Sequence, residues 1–112
     1  KFLNHTHEIF DVIILDPPAF AKHFEARHKA LKGYMQINRL AFDKIAPGGI
    51  LFTFSCSNVV SKELFEGAVR AAAIEAGRDA QVLHHLSQSP DHPVDLRHPE
   101  GGYLKGLVVY VR

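Results

Sequence analysis

Short apolar runs alternate with longer amphipathic stretches along this chain. The runs are rich in β-branched and aromatic residues and predict strands at 10–15, 50–54, 81–88 and 104–111. The run FDVIIL is nearly continuous, which is typical of a strand covered on both faces of a parallel sheet. The amphipathic stretches carry apolar residues at helical spacing and predict helices over 24–45 and 62–76. The predicted order is strand, helix, strand, helix, strand, long loop, strand.

The predicted helices have recognisable ends. Pro47, Gly48 and Gly49 are expected to stop the first helix and turn the chain. Ser61 is expected to cap the start of the second helix, and Gly77 is expected to end it.

Strands that alternate with helices predict an α/β fold with right-handed crossovers and a parallel sheet. The last two strands follow one another without a helix, so one of them must run antiparallel to the rest. The pattern therefore predicts the C-terminal half of an α/β sheet. The chain begins at Lys1, not Met, a few residues before a strand, and we expect residues 1–112 to be part of something longer.

Composition narrows the class of protein. The 112 residues are 46% hydrophobic and 22% charged, as in an ordinary soluble domain or part of one. A formal net charge of +1 is too small to indicate nucleic-acid binding from the total. The single Cys56 excludes an internal disulfide framework and a cysteine zinc site, and it fits a reducing compartment such as the cytoplasm. No apolar run approaches the roughly 18 residues of a membrane helix, so we expect no membrane partner.

The stretch IILDPPAF ends an apolar strand with a carboxylate and two rigid prolines, which calls for an explanation. Asp16 ends the first strand and Cys56 ends the next one, and ligands of an open α/β sheet bind beyond such carboxyl ends. Neighbouring strands lie about 4.8 Å apart. The carboxylate and the thiol are therefore expected to flank one crevice, where Pro17 and Pro18 fix the backbone. Taken alone, an Asp before Pro is often a turn former, and a lone Cys is usually a small buried side chain.

Longer motifs add a family resemblance. The runs FDVIILDPPAF, APGGILFTFSCS and HPEGGYLKGLVVYV resemble the C-terminal half of S-adenosylmethionine-dependent RNA methyltransferases. They are most similar to the large-subunit ribosomal RNA 5-methylcytosine enzymes that carry an N-terminal PUA domain. DPP and PGG are common to many methyltransferases, whereas LDPPAF joined to TFSCS is specific. The resemblance covers essentially the whole chain and implies a Rossmann-like class I sheet, of which this chain supplies the fourth to seventh strands with the reversed terminal hairpin.

The resemblance also implies a reaction. Cys56 is implied as the nucleophile that adds to C6 of cytosine, after which C5 takes a methyl group from S-adenosyl-L-methionine, a base removes the C5 proton and the thiol leaves. Asp16 is implied to hydrogen-bond the N3/N4 edge of the flipped base. The other implied contacts are those of Pro17, Pro18, Phe20 and Lys22 with substrate and of Asp16 and Pro17 with the cofactor. The implied partner is ribosomal RNA.

The two central residues conflict electrostatically, because a nearby carboxylate disfavours a thiolate. The reaction is expected to work better if Asp16 is protonated, or shares a proton with the base, while Cys56 attacks. Lys22 or a phosphate-binding surface is a further source of help to the thiolate. DPPAF also lacks the second cysteine that assists release in some cytosine methyltransferases, so that task has no assigned residue.

The same residues allow other functions to be considered. Amino-group methylation of adenine uses D/N-P-P followed directly by an aromatic residue, whereas here Ala19 precedes Phe20, and that chemistry has no use for Cys56. A nicotinamide dehydrogenase would need a G-x-G-x-x-G turn, which this chain lacks. The chain by itself is expected to be inactive, because the strands and the glycine-rich turn that hold the cofactor lie outside it. The non-enzyme alternative is an inert fragment or an interaction module.

Charged residues away from the strand ends allow two interpretations. A basic cluster after DPPAF fits a surface for RNA phosphates, and equally a solvated helix face; it consists of Lys22, His23, Arg27, His28, Lys29 and Lys32. Phe20 fits base stacking or the core. Four histidines match no zinc spacing, so no metal site is expected; they are His84, His85, His92 and His98. The loop that contains the last two is expected to close over substrate.

The strand at 10–15 is expected to lack one neighbour, the first strand of a complete sheet. An open edge on an apolar strand recruits another chain, so we expect a homodimer formed through residues 10–15. Helices that would cover the other face of the sheet are expected to be missing as well, which leaves apolar surface bare.

Overall fold

The computed structural model describes residues 8–18, 26–57, 59–87 and 104–112. They form an α/β fold whose elements follow the predicted order. The elements are β1 (Phe10–Leu15), α1 (Arg27–Lys44), β2 (Ile45–Ser55), α2 (Lys62–Glu75), β3 (Ala80–Ser87) and β4 (Lys105–Val111). The predicted loop before β4, and residues 24 and 25 of the predicted first helix, lie outside the described residues.

The four strands form one sheet in the order β1-β2-β4-β3. β1 and β2 are parallel, and Leu15 pairs with Thr53 near their carboxyl ends. β4 runs antiparallel to both of its neighbours, β2 and β3. The prediction that one of the last two strands is reversed is therefore confirmed. The reversed strand is β4, which lies between β2 and β3.

One face of the sheet packs against both helices and forms the core. Strand residues at every second position supply its floor, namely Ile13, Leu15, Leu51, Leu107, Val109 and Val111. Tyr34 and Phe42 of α1 and Phe65 of α2 are buried against this floor. The rings of Tyr34 and Phe65 meet edge to face, with their centroids 5.5 Å apart, and this contact joins the two helices.

The opposite face of the sheet is open along β1. Val12 and Ile14 are 54% and 67% exposed, whereas Ile13 and Leu15 between and beside them are buried. This agrees with the expectation that β1, whose sequence is apolar on both faces, has bare apolar surface where covering helices are missing from this chain. Within the described residues, the core shared with the helices lies only on the Ile13 side of β1. The apolar run predicted a strand, but it did not predict which elements would pack on each face of that strand.

The start of β2 also differs from the prediction. α1 ends at Lys44, and Ile45 is already extended, with φ −94° and ψ 136°, and pairs with Phe10. The next pair is Val12 with Ile50, so the segment P-G-G bulges within the strand instead of forming a separate turn after the helix. The predicted strand 50–54 is thereby lengthened to Ile45–Ser55.

The ends of α2 are as predicted. Ser61 Oγ accepts a hydrogen bond from the Leu64 N–H at 3.1 Å, which satisfies one of the free donors of the first turn. Gly77 follows the last turn with φ +70°, a left-handed conformation that residues other than glycine rarely adopt. The predicted helix boundaries are confirmed here to within one residue.

The end of α1 is closed by a side chain from elsewhere in the chain. Arg78, directly after Gly77, donates through Nη1 to the carbonyl oxygens of Phe42 at 2.6 Å and Ile45 at 2.8 Å. Carbonyl groups in the last turn of a helix lack intrahelical donors, so the guanidinium satisfies two of the acceptors there. Arg78 thus ties the two helices together at the ends opposite their first turns.

We predict that Gly49 tolerates no side chain. A Cβ there would lie 2.9 Å from the carbonyl oxygens of Asp11 and Ala46 and 2.7 Å from Ile45 Cγ1. Because two of these atoms are backbone, Gly49→Ala is expected to lower the free energy of unfolding by about 1–3 kcal/mol, measured by urea denaturation. The matched control is Gly67→Ala on α2, where a Cβ meets nothing within 4 Å and alanine is the better helix former. Equal stability of the two variants would contradict this account of the bulge.

Candidate active site

The carboxyl ends of β1 and β2 bring Asp16 and Cys56 to one edge of the sheet. Since Leu15 pairs with Thr53, Asp16 lies level with Phe54, and Cys56 lies two residues further along. This register places the Cα atoms of Asp16 and Cys56 roughly 8 Å apart, from the usual strand rise and spacing. Asp16 is exposed and Cys56 is half-buried. The predicted adjacency of the two strands is confirmed.

The backbone around Cys56 is fixed by the two serines of the S-C-S motif. Ser55 and Ser57 are both buried, while Cys56 between them is partly open to solvent. The Ser57 N–H donates to Ser55 Oγ at 3.3 Å, and the Val59 N–H donates to Ser57 Oγ at 3.4 Å. Each serine hydroxyl accepts a hydrogen bond from the backbone N–H two residues later. These bonds hold the backbone where the hydrogen bonds of the sheet end. The thiol is therefore presented at a defined position.

A third chain segment reaches this edge because β4 is reversed. Lys105, the first residue of β4, pairs with Ser55 of β2. Its Nζ donates a hydrogen bond to the Ser57 carbonyl oxygen at 2.9 Å. Partial burial of the ammonium lowers the pKa of Lys105 below its ordinary value, and the negative charge of the Cys56 thiolate opposes part of that decrease.

Lys105 and the two serines are the residues of this site that the sequence reasoning missed. A signal for Lys105 was present, because a reversed last strand must begin at the edge where the parallel strands end. No motif marks the lysine itself. Its contact with Ser57 depends on a strand register between residues about fifty positions apart.

The structure describes only some of the other residues that were predicted to contact substrate, cofactor or RNA. Pro17 is half-buried and Pro18 is exposed, directly after the carboxyl end of β1. Phe20, Lys22 and His23 lie outside the described residues. The rest of the basic cluster lies on the first two turns of α1, where Arg27 is half-buried and three residues are exposed, namely His28, Lys29 and Lys32.

His85 of β3 makes a surface contact with α2. His85 Nε2 lies 2.7 Å from Glu66 Oε1 of α2. Within residues 8–18, 26–57, 59–87 and 104–112, no three His, Cys, Asp or Glu side chains come close enough to hold a metal ion. His92 and His98, with the loop expected to close over substrate, lie outside these ranges.

Two concave surfaces of the described residues lie away from Asp16 and Cys56. A cavity of about 260 Å³ lies between α2 and the strands β3 and β4, with Val69, Ala73 and Val82 in its lining. A shallow groove runs between α1 and α2 over Leu31 and Leu64. Neither is lined by Asp16 or Cys56. None of the described helices combines the length and the apolar character needed to cross a membrane.

Comparison with known proteins shows sequence similarity over most of the chain. Ribosomal RNA large subunit methyltransferase I of Aeromonas salmonicida is 54% identical over 105 residues, which cover 94% of this chain and 26% of that protein. The protein of the same name from Tolumonas auensis is 52% identical over 102 residues, covering 91% of this chain and 26% of its own length. The chain thus spans about a quarter of the length of these relatives. No family model matches the chain.

A solved structure shares the fold. The crystal structure of a protein described as a methyltransferase and complexed with SAH superposes with a TM-score of 0.76 at 19% sequence identity. The match covers 98% of this chain and 28% of that protein. At this level of identity the likeness concerns the fold. The sheet with its reversed β4 is part of a Rossmann-like sheet, in agreement with the predicted fold class.

Proposed function

We propose that this chain is the C-terminal part of the catalytic domain of an S-adenosylmethionine-dependent ribosomal RNA methyltransferase. The proposal is supported by relatives of that name at about half identity over nine-tenths of the chain and by the shared fold. The observation that carries the chemistry is the position of Cys56, which is half-buried between two buried serines at the end of β2. The turn that holds most of the cofactor is expected to belong to residues outside this chain.

The proposed reaction is methylation of C5 of a cytosine through a cysteine adduct. The Cys56 sulfur adds to C6 as the C5–C6 double bond opens and its electrons shift toward N3. C5 then carries enough electron density to attack a methyl group bound to a sulfonium, which the cofactor supplies. A base removes the proton from C5, the double bond forms again, and the C6–S bond breaks to release the cysteine.

Asp16 is proposed to contact the N3/N4 edge of the base. A carboxyl that holds a proton donates to N3 while its second oxygen accepts from the N4 amino group. In that state it also carries no charge to oppose the thiolate. The exposed position of Asp16 at the end of β1 leaves room for both contacts.

The described residues fit one side of a cofactor site. The exposed Asp16 carboxylate is an acceptor for amino and hydroxyl donors, and the half-buried Pro17 beside it offers an apolar contact. When bound, the cofactor supplies the methyl group and leaves as S-adenosylhomocysteine. The remaining contacts are assigned to the part of the sheet that lies outside this chain.

Ribosomal RNA is the proposed partner. Three exposed basic residues on the first turns of α1 follow β1 and are suited to phosphate contacts near the crevice, namely His28, Lys29 and Lys32. Pro18, Phe20 and Lys22 are proposed to line the same substrate path. We expect calorimetric titration of the 112-residue chain with S-adenosylmethionine to show no binding, and micromolar binding would show that the proposed domain boundary is wrong.

We predict that Cys56 forms a covalent adduct in the complete enzyme. RNA with 5-fluorocytosine at the target should yield a stable protein–RNA band on a denaturing gel, because fluorine at C5 blocks the proton removal that precedes release. Cys56→Ala should abolish the band. An adduct that survives this substitution would refute the assignment, and methylation that survives it would favour the adenine amino-group alternative.

We predict a smaller but clear loss for Asp16→Asn. The amide cannot exchange a proton as the charge on N3 rises and falls, so turnover in a methyl-transfer assay is expected to decrease by roughly 10²-fold, the scale of one lost electrostatic contact. The matched control is Asp11→Asn, an exposed carboxylate at the other end of β1. Equal activity of the two variants would mean that Asp16 only shapes the turn.

We predict that the 112-residue chain forms a two-fold dimer through β1. This strand is one of the two outer strands of the described sheet, and its Val12 and Ile14 side chains are exposed. Light scattering should give twice the chain mass. A lysine on this strand, in Ile14→Lys, should favour the monomer, whereas Ile74→Lys at an exposed apolar site on α2 should not. A parent chain that is a stable monomer would contradict the prediction.

A further inference from the structure

We propose that the groove between α1 and α2 binds an unpaired RNA base close to the nucleotide that enters the catalytic crevice. The inference rests on ribosomal RNA as the proposed substrate and adds a second binding site for it on this chain. The site holds one base against the apolar walls of the groove and the neighbouring phosphates on the basic side of α1.

The groove lies at the end of the fold where β1 and β2 have their carboxyl ends. α1 connects the end of β1 to the start of the parallel strand β2, so its first turns lie near the edge at which both strands end. α2 begins at Lys62, six residues after Cys56, which limits their separation to roughly 20 Å. An RNA strand whose target base reaches Cys56 therefore brings its neighbouring nucleotides within reach of the groove.

The walls of the groove are apolar, and its size suits a small planar group. Its volume is about 560 Å³, within the range of roughly 300–1,000 Å³ found for small-molecule sites. Leu31 and Met35 of α1 and Leu64 of α2 line it, and all three are half-buried against the core. An unpaired base has two apolar faces and a polar edge, so it can bury a face here while its edge stays at the surface.

Gly67 leaves space in the groove that the fold does not require. It lies in the second turn of α2 and lines the groove, and a Cβ added there would meet nothing within 4 Å. Glycine inside a helix is less stable than alanine, because more backbone entropy is lost on folding. Neither a close contact nor a left-handed backbone explains the glycine at this position. The open space fits an occupant that approaches the α2 backbone closely.

The charges on the α1 side of the groove have the sign that attracts phosphates. Arg27, Lys29 and Lys32 lie in the first two turns of α1, and its first turn has no acidic residue. Cations at this end of a helix oppose its dipole, so they do not stabilise α1. Lys32 and the exposed His28 line the groove itself. These side chains are suited to contacts with an RNA backbone.

The α2 side of the groove carries an acceptor for the edge of a base. Glu63 lines the groove, and its charge is offset by the adjacent Lys62, with both side chains exposed at the start of α2. A carboxylate accepts a hydrogen bond from the N4 amino group of cytosine. An acceptor on one helix, cations on the other and an apolar surface between them match the parts of a nucleotide.

The test compares the binding of two RNAs of equal charge to the 112-residue chain. One is a fluorescein-labelled cytidine decamer, and the other is a labelled decamer with the same ribose–phosphate backbone and no bases. Fluorescence anisotropy at several salt concentrations gives the dissociation constant of each. We expect the parent chain to bind the cytidine decamer about fivefold more tightly, the lower end of what one base contact contributes.

Two substitutions separate the contact with the base from the contact with phosphate. Gly67→Leu fills the groove with a good helix former, so the two RNAs should bind this variant equally, whereas Gly67→Ala should keep part of the preference. Lys32→Gln should weaken both RNAs by the same factor and decrease the slope of log K against log salt by about 0.7, the value for one phosphate contact on a single strand. The matched control, Lys44→Gln in the last turn of α1, should leave the slope unchanged.

The outcomes separate this inference from the proposed function. A folded Gly67→Leu chain that keeps the fivefold preference overturns the inference, even if the complete enzyme forms the 5-fluorocytosine adduct. If this variant also changes its mass in light scattering, a second copy of the chain occupies the groove instead. A parent chain that binds both RNAs equally overturns the inference as well. Loss of the preference in Gly67→Leu, together with an enzyme that forms no adduct, supports the RNA site and refutes cysteine-based methyl transfer.

Circular dichroism checks that each variant keeps the fold. If Gly67→Leu does not fold, the same pair of RNAs is measured on Gly67→Met, whose flexible side chain fills the groove with less strain. The same two results, loss or retention of the preference, then decide the inference.

Discussion

The placement of β4 between β2 and β3 is the constraint on which the rest of the structure depends. Both edges of this strand are paired, and its residues Leu107 to Val109 are buried. Its run LVVYV carries apolar or aromatic residues on both faces. It also needs space for its neighbour at Gly106, where a Cβ would lie 2.6 Å from the Phe54 ring. The same pairing that stabilises the centre of the sheet brings Lys105 to the edge at which β2 ends.

The sheet is completed on one face only within the described residues. Tyr34, Phe42 and Phe65 cover the side that carries Ile13, whereas Ile14 on the other side is exposed. Burying an aliphatic side chain contributes about 1.5–3 kcal/mol, so each exposed position on β1 leaves stabilisation of that order unused. This imbalance is a physical reason for a second chain, or a further part of the protein, to cover the open face.

The helices and strands were predictable because buried positions recur at the helical or strand period along the sequence. Contacts that depend on the pairing of distant strands were not predictable. The helix cap at Ser61 and the meeting of Asp16 with Cys56 follow from local chemistry and from parallel strands joined by one helix. The bulge after Ile45 follows from its pairing with Phe10, which no local pattern records. The apolar run of β1 could not tell which elements would cover it. The contact between Lys105 and Ser57 depends on a long-range register as well.

The conflict between a carboxylate and a thiolate at one sheet edge is decided by solvent. Asp16 is exposed, so water screens its repulsion, and two charges 4 Å apart interact by only about 1 kcal/mol in bulk water. The Cα atoms of Asp16 and Cys56 lie roughly 8 Å apart by strand geometry, so the repulsion is weaker still. A proton on Asp16 therefore matters more for its proposed contact with N3 of the base than for the thiolate.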